Sequence, residues 1–340
     1  MNILIIRLSA MGDVALTVPV LKTFTKQQPN NSIFLLTKTF FNPLFSEIAD
    51  IEIINPDFNN KHKGIFGLYK LYKEIKTRVN PDIVIDLHDV LRTKFIRFMF
   101  RLSGIKTVKI NKGRKEKKRL TRRKNKLLKP LKHTVLRYKE TFERAGFDIN
   151  LNQSFTNSHQ FSKKQSDNIS EKIPKEIGIA PFAKHIQKQY PIEKTKILIR
   201  KLSKEGYKIF LFGGGNKEKE IAEKIAGNFS NVTSLIGKFP LEEEIKFINR
   251  LDVMITPDSG NMHIAALTSV KIISIWGATH PFAGFTAFVP ENRHYIVQNE
   301  QLTCRPCSVF GNKECYKKTL ECLNTIEPEE IFNLCKKITG

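Results

Sequence analysis

The chain has 340 residues, of which 41% are hydrophobic, so it is long enough to fold as two domains that each bury a core. Its formal net charge of +24 predicts a negatively charged partner, such as nucleic acid, an anionic membrane face or a phosphorylated glycan. No apolar run approaches the ~20 residues of a membrane-spanning helix, and the charged first residues do not resemble a signal peptide, so we expect a cytoplasmic protein.

The first part of the chain alternates short apolar runs with amphipathic segments. The pattern predicts strands at residues 2–7, 33–37, 51–54, 83–87 and 107–110, and helices at residues 14–27, 40–49, 67–79 and 90–103. Pro19 lies early in the first helix, where a kink or a restart is expected. This alternation predicts a parallel sheet wrapped by helices.

A basic segment follows at residues 112–132, in which Glu116 is the one acid among twelve Lys and Arg residues. Its apolar content is too low for a core, which predicts a mobile, solvated loop or an arm that lies on an anionic surface. A helix is predicted at residues 134–145, with Gly146 as its C-cap. Polar residues at 150–170 suit a linker, so we expect one domain at residues 1–155 and a second at 156–340.

The second part of the chain repeats the pattern of the first. It predicts strands at residues 177–180, 208–212, 232–235, 251–255 and 272–276, and helices at residues 191–205, 218–227, 241–249, 261–268 and 327–338. The fold class is therefore α/β, with two doubly wound domains. Two such domains predict a cleft, which is the usual location of a ligand.

Residues 251–281 have the most informative local pattern, a strand, a turn, a helix and a second strand in close succession. The turn and the first helical turn carry Asp258, Ser259, Gly260 and His263. In open parallel sheets, ligands bind outside the carboxyl ends of the strands, and helix N-termini favour anions. The pattern fits a nucleotide or phosphate pocket, and it fits a capped helix with a half-buried histidine equally well.

The five cysteines all lie after residue 300, at positions 304, 307, 315, 322 and 335. An odd number without a signal peptide argues against a disulfide framework. Four of them, Cys304, Cys307, Cys315 and Cys322, could form a four-thiolate zinc site. Reduced thiols in a compact C-terminal segment are the other interpretation.

Four segments match the motifs of a known family in the family's order. They are residues 7–13 (RLSAMGD), residues 86–88 (DLH) with Arg92, residues 188–191 (KQYP) and residues 258–266 (DSGNMHIAA). Together they resemble glycosyltransferase family 9, the ADP-heptose:lipopolysaccharide heptosyltransferases. The glycines at 213–215 and Glu218 are similar to that family's glycine loop and acid. The resemblance implies a GT-B architecture, in which two Rossmann-like domains face each other across a cleft.

The resemblance also implies roles for individual residues. Asp13 would be the general base that deprotonates the acceptor hydroxyl, although an aspartate there could simply cap the helix predicted from Val14. Lys188 would neutralise the leaving diphosphate, although it could be an ordinary surface charge. The expected donor-binding residues are Glu218, Asp258, Ser259, Gly260 and His263, and the expected acceptor-side residues are Ser9, Gly12 and Arg92. A surface role is the alternative for Glu218.

The implied reaction is an inverting transfer of heptose or a similar sugar from a nucleotide-diphosphate donor, expected to be ADP-heptose, without a metal or other cofactor. The acceptor would be an anionic, lipid-linked saccharide of the lipopolysaccharide-core type, reached at the cytoplasmic face of the inner membrane. Basic residues in the first half suit such an acceptor and an anionic leaflet. The alternatives are a nucleotide-sugar 2-epimerase and a nucleic-acid-binding protein, but the basic segment has no interleaved aromatic residues to stack on bases.

Overall fold

The computed structural model of the protein describes residues 1–151 and 175–340. Its contacts divide the chain into two compact units. Among the described residues, the first unit comprises 1–112 and 132–151, and the second comprises 113–131 and 175–340. The boundary expected between residues 155 and 156 lies outside the described residues, as does most of the linker expected at 150–170, so both stay predictions.

Helices and strands alternate along both units. The strands are β1 (Asn2–Ile6), β2 (Ser32–Leu36), β3 (Ile51–Ile54), β4 (Ile83–Asp86), β5 (Lys106–Lys109), β6 (Glu176–Ile179), β7 (Lys208–Leu211), β8 (Val232–Ser234), β9 (Val253–Pro257), β10 (Lys271–Trp276) and β11 (His294–Gln298). The helices are α1 (Met11–Ala15), α2 (Val18–Gln27), α3 (Gly64–Val79), α4 (Leu91–Leu102), α5 (Arg114–Leu120), α6 (Thr134–Ala145), α7 (Ile192–Lys204), α8 (Asn216–Ala226), α9 (Leu241–Arg250), α10 (Gly260–Ala265), α11 (Glu321–Asn324) and α12 (Pro328–Thr339).

Each unit is built on one parallel sheet. The first sheet has the order β3-β2-β1-β4-β5 and the second has the order β11-β10-β9-β6-β7-β8. The strand order reverses between β1 and β4 in the first unit and between β6 and β9 in the second. Ligands of doubly wound sheets bind outside the carboxyl ends of the strands at such a reversal. The topology therefore marks one candidate ligand-binding edge in each unit.

The central strands are buried on both faces, as their continuous apolar sequences predict. Ile3, Leu4, Ile5 and Ile6 of β1 have no exposed surface. Helices cover both sheets, and the cores formed beneath them are dominated by Ile, Leu, Val and Phe. This confirms the predicted α/β class with two doubly wound units.

Most of the predicted elements are present within one or two residues of their expected bounds, and Pro19 acts as predicted. The chain leaves α1 after Ala15 and restarts as α2 at Val18, so that Pro19 lies in the first turn of the new helix. A proline is tolerated there because the N–H it lacks would have no partner inside the helix. The strand β11 was not predicted, because only Val297 of its five residues is buried and its end residues are polar.

The prediction of a mobile or surface-laid basic segment was wrong for residues 113–131. They include the helix α5, whose Leu120 is fully buried, and they belong to the second unit. The ammonium of Lys117 lies 4.3 Å from the ring centroid of Phe285, and Lys126 Nζ donates to the carbonyl of Cys304 at 2.7 Å. Cation–π contacts and hydrogen bonds to carbonyls hold the segment on the protein where apolar burial is small.

None of the helices within the described ranges is long and apolar enough to cross a membrane.

Gly178 of β6 tests the packing of the second core. A Cβ at this position would come within 2.6 Å of Met254 Sδ and 2.7 Å of Leu251 Cδ1. We expect Gly178→Ala to lower the free energy of unfolding by about 1–3 kcal/mol, since overpacking forces neighbouring side chains from their rotamers. Urea unfolding at constant m-value measures the change. Gly227→Ala is the control, because its Cβ would meet nothing closer than 3.4 Å; equal losses in the two variants would contradict this account.

Candidate active site

At the reversal in the first sheet, the carboxylate of Asp13 is held by an arginine. Arg7 directly follows β1, and its Nη2 lies 2.9 Å from Asp13 Oδ2. The guanidinium is nearly buried, donates through Nη1 to the carbonyl of Leu87 at 2.6 Å, and lies 5.7 Å from the ring centroid of Tyr138. The Asp13 side chain keeps 30% of its surface exposed. It is therefore a fixed carboxylate that solvent or a substrate can still reach.

The alternative of Asp13 as a helix cap does not fit the structure. The helix α1 begins at Met11, three residues earlier than predicted, with Ala10 in the N-cap position. Asp13 thus lies inside the first turn, and its side chain pairs with Arg7. Our sequence analysis assigned no role to Arg7, although a charged residue directly after a fully apolar strand was a usable signal.

His88 is a second residue at this edge to which sequence analysis gave no role of its own. It follows β4, is buried, and its Nδ1 has no hydrogen-bond partner within the described residues. Burial, followed by the positive charges of Arg7 and Lys112, lowers the pKa of His88 to about 3. The imidazole is therefore neutral at pH 7, and its Nδ1 is a buried polar atom without a partner in the described part of the chain.

The residues expected on the acceptor side are arranged around the same strand ends. Ser9 and Gly12 are half-buried in the loop and helix that follow β1. Arg92 is exposed in the first turn of α4, and its guanidinium carbon lies 4.8 Å from the ring centroid of Phe58. Arg97, one helical turn further on, pairs with the carboxylate of Asp86 instead. Of these two arginines, only Arg92 is open to a ligand.

At the reversal in the second sheet, Lys188 and Asp258 form an ion pair. Lys188 Nζ lies 3.0 Å from Asp258 Oδ2, and the side chains keep only 15% and 7% of their surface exposed. Lys188 ends a short 3-10 helix in the loop after β6, and Asp258 follows β9. The lysine is thus not a free surface charge, and the aspartate is neutralised by it. The pair presents a cation at a sheet edge without leaving a carboxylate unpaired.

The aliphatic stem of Lys188 packs on a glycine from the C-terminal part of the chain. A Cβ at Gly311 would come within 2.4 Å of Lys188 Cγ, so a larger residue there would displace the lysine. The carbonyl of Gln187 accepts a hydrogen bond from the N–H of Ala278 at 3.1 Å. The loop after β10 and the C-terminal segment thereby fix the lysine from two sides.

Arg305 supports this loop and was not singled out by its sequence. Its side chain is 2% exposed and donates to the carbonyls of Trp276, Gly277, Thr279 and Asn299 at 2.8–3.0 Å. A guanidinium offers five donors in a fixed plane, so it can satisfy several carbonyls at a strand end together. It anchors the backbone that holds Gln187.

The other residues expected to bind the donor lie at the same edge. Ser259 precedes α10, and its hydroxyl lies 3.1 Å from that of Thr256. Gly260 starts the helix, and His263 is buried one turn later. Because α10 has only six residues, its dipole supplies less positive charge than the sequence pattern suggested. Lys188 is the principal cation here.

Glu218 has a local structural contact. Its carboxylate accepts the N–H of Gly214 at 2.8 Å, and a Cβ at Gly213 would come within 2.8 Å of the same carboxylate oxygen. Glu218 therefore ties the glycine loop after β7 to the first turn of α8. This contact lies at the surface of helix α8 and is compatible with the surface alternative. The expected contact of Glu218 with the donor stays a prediction.

Comparison with known proteins identifies the family. The model of glycosyltransferase family 9 (heptosyltransferase) matches residues 68–317. The chain belongs to glycosyltransferase family 9. It is 25% identical to lipopolysaccharide heptosyltransferase 1 of Campylobacter coli, over 100% of this chain and 99% of the relative. It is 24% identical to lipooligosaccharide heptosyltransferase 2 of Campylobacter jejuni, over 97% and 96%.

Solved structures agree in fold. A family 9 glycosyltransferase from Veillonella parvula superposes with a TM-score of 0.71 at 21% identity, covering 99% of this chain and 96% of that one. The heptosyltransferase WaaC of E. coli with ADP superposes with a TM-score of 0.68 at 20% identity, covering 99% and 100%. These similarities confirm the predicted GT-B fold, and the match to the family model confirms the glycosyltransferase class.

In this family 9 enzyme, four of the cysteines line one small cavity in the C-terminal segment, Cys304, Cys307, Cys315 and Cys322. All five cysteines are free thiols. Burial raises the pKa of Cys322 to about 11 and that of Cys335 to about 12, which keeps these thiols protonated at pH 7. Across residues 1–151 and 175–340, no three His, Cys, Asp or Glu side chains are grouped so as to hold a metal ion. Both interpretations, the four-thiolate zinc site and the reduced thiols, stay predictions.

The buried neutral state of His88 predicts a pH dependence of stability. An unfolded-chain histidine binds its proton near pH 6.5, whereas folded His88 binds it only near pH 3. Between these values the unfolded state holds more protons, so the contribution of His88 to stability falls as the pH is lowered through this window. Burial also lowers the pKa of His280, to about 4, so histidine NMR at pH 4.5 should show a neutral imidazole for His88 beside that of His280. The His88 signal should be missing from His88→Gln, and the variant should lose part of the pH slope. Titration of that resonance near pH 6.5 would contradict the burial argument.

Proposed function

We propose that the protein catalyses the inverting transfer of heptose from ADP-heptose to a lipopolysaccharide-core type acceptor. The observation that carries the proposal is the charge arrangement at the two sheet reversals. One unit presents a carboxylate fixed by Arg7, and the other presents a lysine fixed by Asp258 and Gly311. A base for an incoming alcohol and a cation for a departing diphosphate are the two charges that glycosyl transfer requires.

In the proposed reaction, Asp13 acts on the acceptor. An acceptor hydroxyl attacks the anomeric carbon of the donor, and its proton passes to the carboxylate of Asp13. The new C–O bond forms on one face of the sugar as the bond to the diphosphate oxygen breaks on the opposite face, which inverts the anomeric centre. Arg7 keeps the carboxylate oriented, because its Nη2 lies 2.9 Å from Asp13 Oδ2.

Lys188 acts on the donor in this proposal. The bond that breaks leaves its electron pair on the diphosphate, and the ammonium of Lys188 stabilises that developing charge. Asp258 holds the ammonium in position in the free enzyme, at 3.0 Å. Ser259, Gly260 and His263 follow Asp258 at the same strand end, where they would contact the diphosphate or the nucleoside. The reaction as proposed uses no metal and no other cofactor.

The proposed substrates are taken from the relatives in the family. The relatives are named lipopolysaccharide or lipooligosaccharide heptosyltransferases, and one similar structure contains ADP. We extend a nucleotide-sugar donor and an anionic, lipid-linked saccharide acceptor to this protein, acting at the cytoplasmic face of the inner membrane. Nucleic acid is not among the proposed partners. Conversion of the donor without any acceptor would instead indicate a nucleotide-sugar 2-epimerase.

Asp13→Asn tests the proposed base. The amide keeps the shape of the side chain but cannot take a proton, so we expect kcat for heptosyl transfer to fall by about 10²–10⁴-fold. The dissociation constant for ADP should change little, because Asp13 lies in the other unit from Lys188. Transfer is measured with ADP-heptose and a core-type acceptor. Asp50→Asn, at an exposed position, is the control, and near-normal turnover of Asp13→Asn would refute the assignment.

Gly311→Ala tests whether the position of Lys188 determines donor binding. The new methyl group would displace the lysine stem, so we expect the Kd for ADP to rise about tenfold, toward the value for Lys188→Ala. Calorimetry measures the binding. Gly237→Ala is a matched control, since both glycines have positive φ, +74° and +72°, but nothing lies within 4 Å of a Cβ at Gly237. Similar Kd values for the two alanine variants would show that Lys188 does not bind the diphosphate.

A further inference from the structure

Large apolar side chains are exposed where three strands of the first sheet end. Phe40 follows β2, Ile65 and Phe66 lie in the first turn of α3 after β3, and Leu91 opens α4 after β4. Phe66 is 88% exposed, Leu91 is 84% exposed, and the other two exceed one half. Because the strands are parallel, all four residues lie at the same edge of the sheet. We call these four residues the apolar edge.

The charges exposed around the apolar edge are mainly positive. Exposed cations flank it in the same loops and first turns, at Lys38, Lys63, Arg92 and Lys94. Two carboxylates nearby have partners within the protein, of which Asp57 is exposed and Asp89 is buried. Asp57 accepts the backbone N–H groups of Asn59 and Asn60 at 3.1 Å, and Asp89 pairs with Arg97. A partner approaching this edge therefore meets exposed hydrocarbon surrounded by positive charge.

The same combination continues along the outer face of α4. Phe98 and Leu102 are more than half exposed, one and two turns beyond Lys94, and Arg101 is exposed between them. The buried face of the helix, with Ile96 and Phe100, packs into the core. The exposed apolar residues are thus not required by the packing of the first unit.

We propose that the apolar edge docks on the surface of an anionic lipid bilayer. Isolated large apolar side chains can enter the boundary between headgroups and acyl chains, while flanking Lys and Arg side chains bind lipid phosphates. A second copy of the chain is a poorer occupant, since it would oppose cations to cations. Asp13 lies at the same sheet edge, so docking would bring the proposed base to a sugar carried on a membrane lipid. This last step rests on the proposed function, whereas the docking itself does not.

Vesicle binding tests the proposal on the full chain. Vesicles of phosphatidylcholine and phosphatidylglycerol at 3:1 should bind the protein at low salt, and 0.5 M NaCl or pure phosphatidylcholine should weaken binding, because the cations contribute through screened electrostatics. Phe66→Ser with Leu91→Ser should lower the partition coefficient by about tenfold or more. The matched control is Ile197→Ser with Ile221→Ser, two exposed apolar residues of the second unit, which should stay within about twofold.

Further measurements separate the outcomes. Lys63→Glu with Lys94→Glu should reduce binding to the anionic vesicles while leaving the weak binding to phosphatidylcholine unchanged. An unchanged partition coefficient in the serine double variant would overturn the proposal, as would wild-type self-association that this variant abolishes. With ADP-heptose, the serine variant should transfer normally to a lipid-free core oligosaccharide and slowly to a vesicle-embedded acceptor. Vesicle binding without any transfer would refute the proposed function and leave the docking surface standing.

Discussion

A charge that is largely removed from water needs a partner of opposite charge. This constraint determines the positions of the two candidate catalytic side chains, Asp13 and Lys188. Lys188 and Asp258 are each less than one-sixth exposed, and Arg7 is almost completely buried beside Asp13. Removing one member of such a pair leaves the other as a buried charge without a partner. The free-energy cost of that unpaired charge is commonly larger than the net stabilisation that the intact pair provides. The protein therefore holds the charges that we propose to be reactive as pairs. In the proposed reaction, the donor carries its own negative charge, so its diphosphate would take the place of Asp258 beside Lys188.

The C-terminal segment, which contains all the cysteines, supports this arrangement. Arg305 binds the carbonyls at the end of β10, and the N–H of Cys307 donates to the carbonyl of Ala278 at 2.9 Å. Ala278 in turn donates to Gln187, next to Lys188, whose stem packs on Gly311. A segment far away in sequence thus forms the platform of the lysine. This segment holds the long side chain of Lys188 in one conformation. A freely rotating lysine would lose rotamer entropy when it bound a ligand, and that loss would weaken binding.

The sequence was sufficient for the parts of the structure that depend on local patterns. Apolar runs of strand length and amphipathic periods predicted the sheets, and Pro19 predicted the break between α1 and α2. Motif order located the loops of Asp13, Lys188 and Asp258 at strand ends, and each parallel sheet brings the strand ends of its own unit to one edge. The pairing of Lys188 with Asp258 was not predictable, because residues seventy positions apart meet only through the strand order of the second sheet.

The errors have physical causes as well. Residues 113–131 read as an unanchored chain because so few are apolar, but their anchors are Lys117 on aromatic rings and Lys126 on carbonyls. Amino-acid composition records these lysines only as positive charges and does not show that their side chains have partners within the protein. Arg7 and Arg305 were missed for a related reason. A single sequence does not reveal whether an arginine side chain is in water or binds backbone carbonyls at the ends of neighbouring strands.

The net charge of +24 takes on a different meaning once these contacts are known. A basic composition alone fits nucleic acid, membranes and phosphorylated glycans equally. The segment that carries the densest charge commits Lys117, Arg123 and Lys126 to aromatic rings and carbonyls of its own unit. At the sheet edge that bears Asp13, by contrast, exposed cations alternate with Phe66 and Leu91, which are almost fully exposed. Phosphate backbones do not require exposed aliphatic groups, whereas the surface of a bilayer offers both phosphates and hydrocarbon, so this distribution favours a membrane over a nucleic acid.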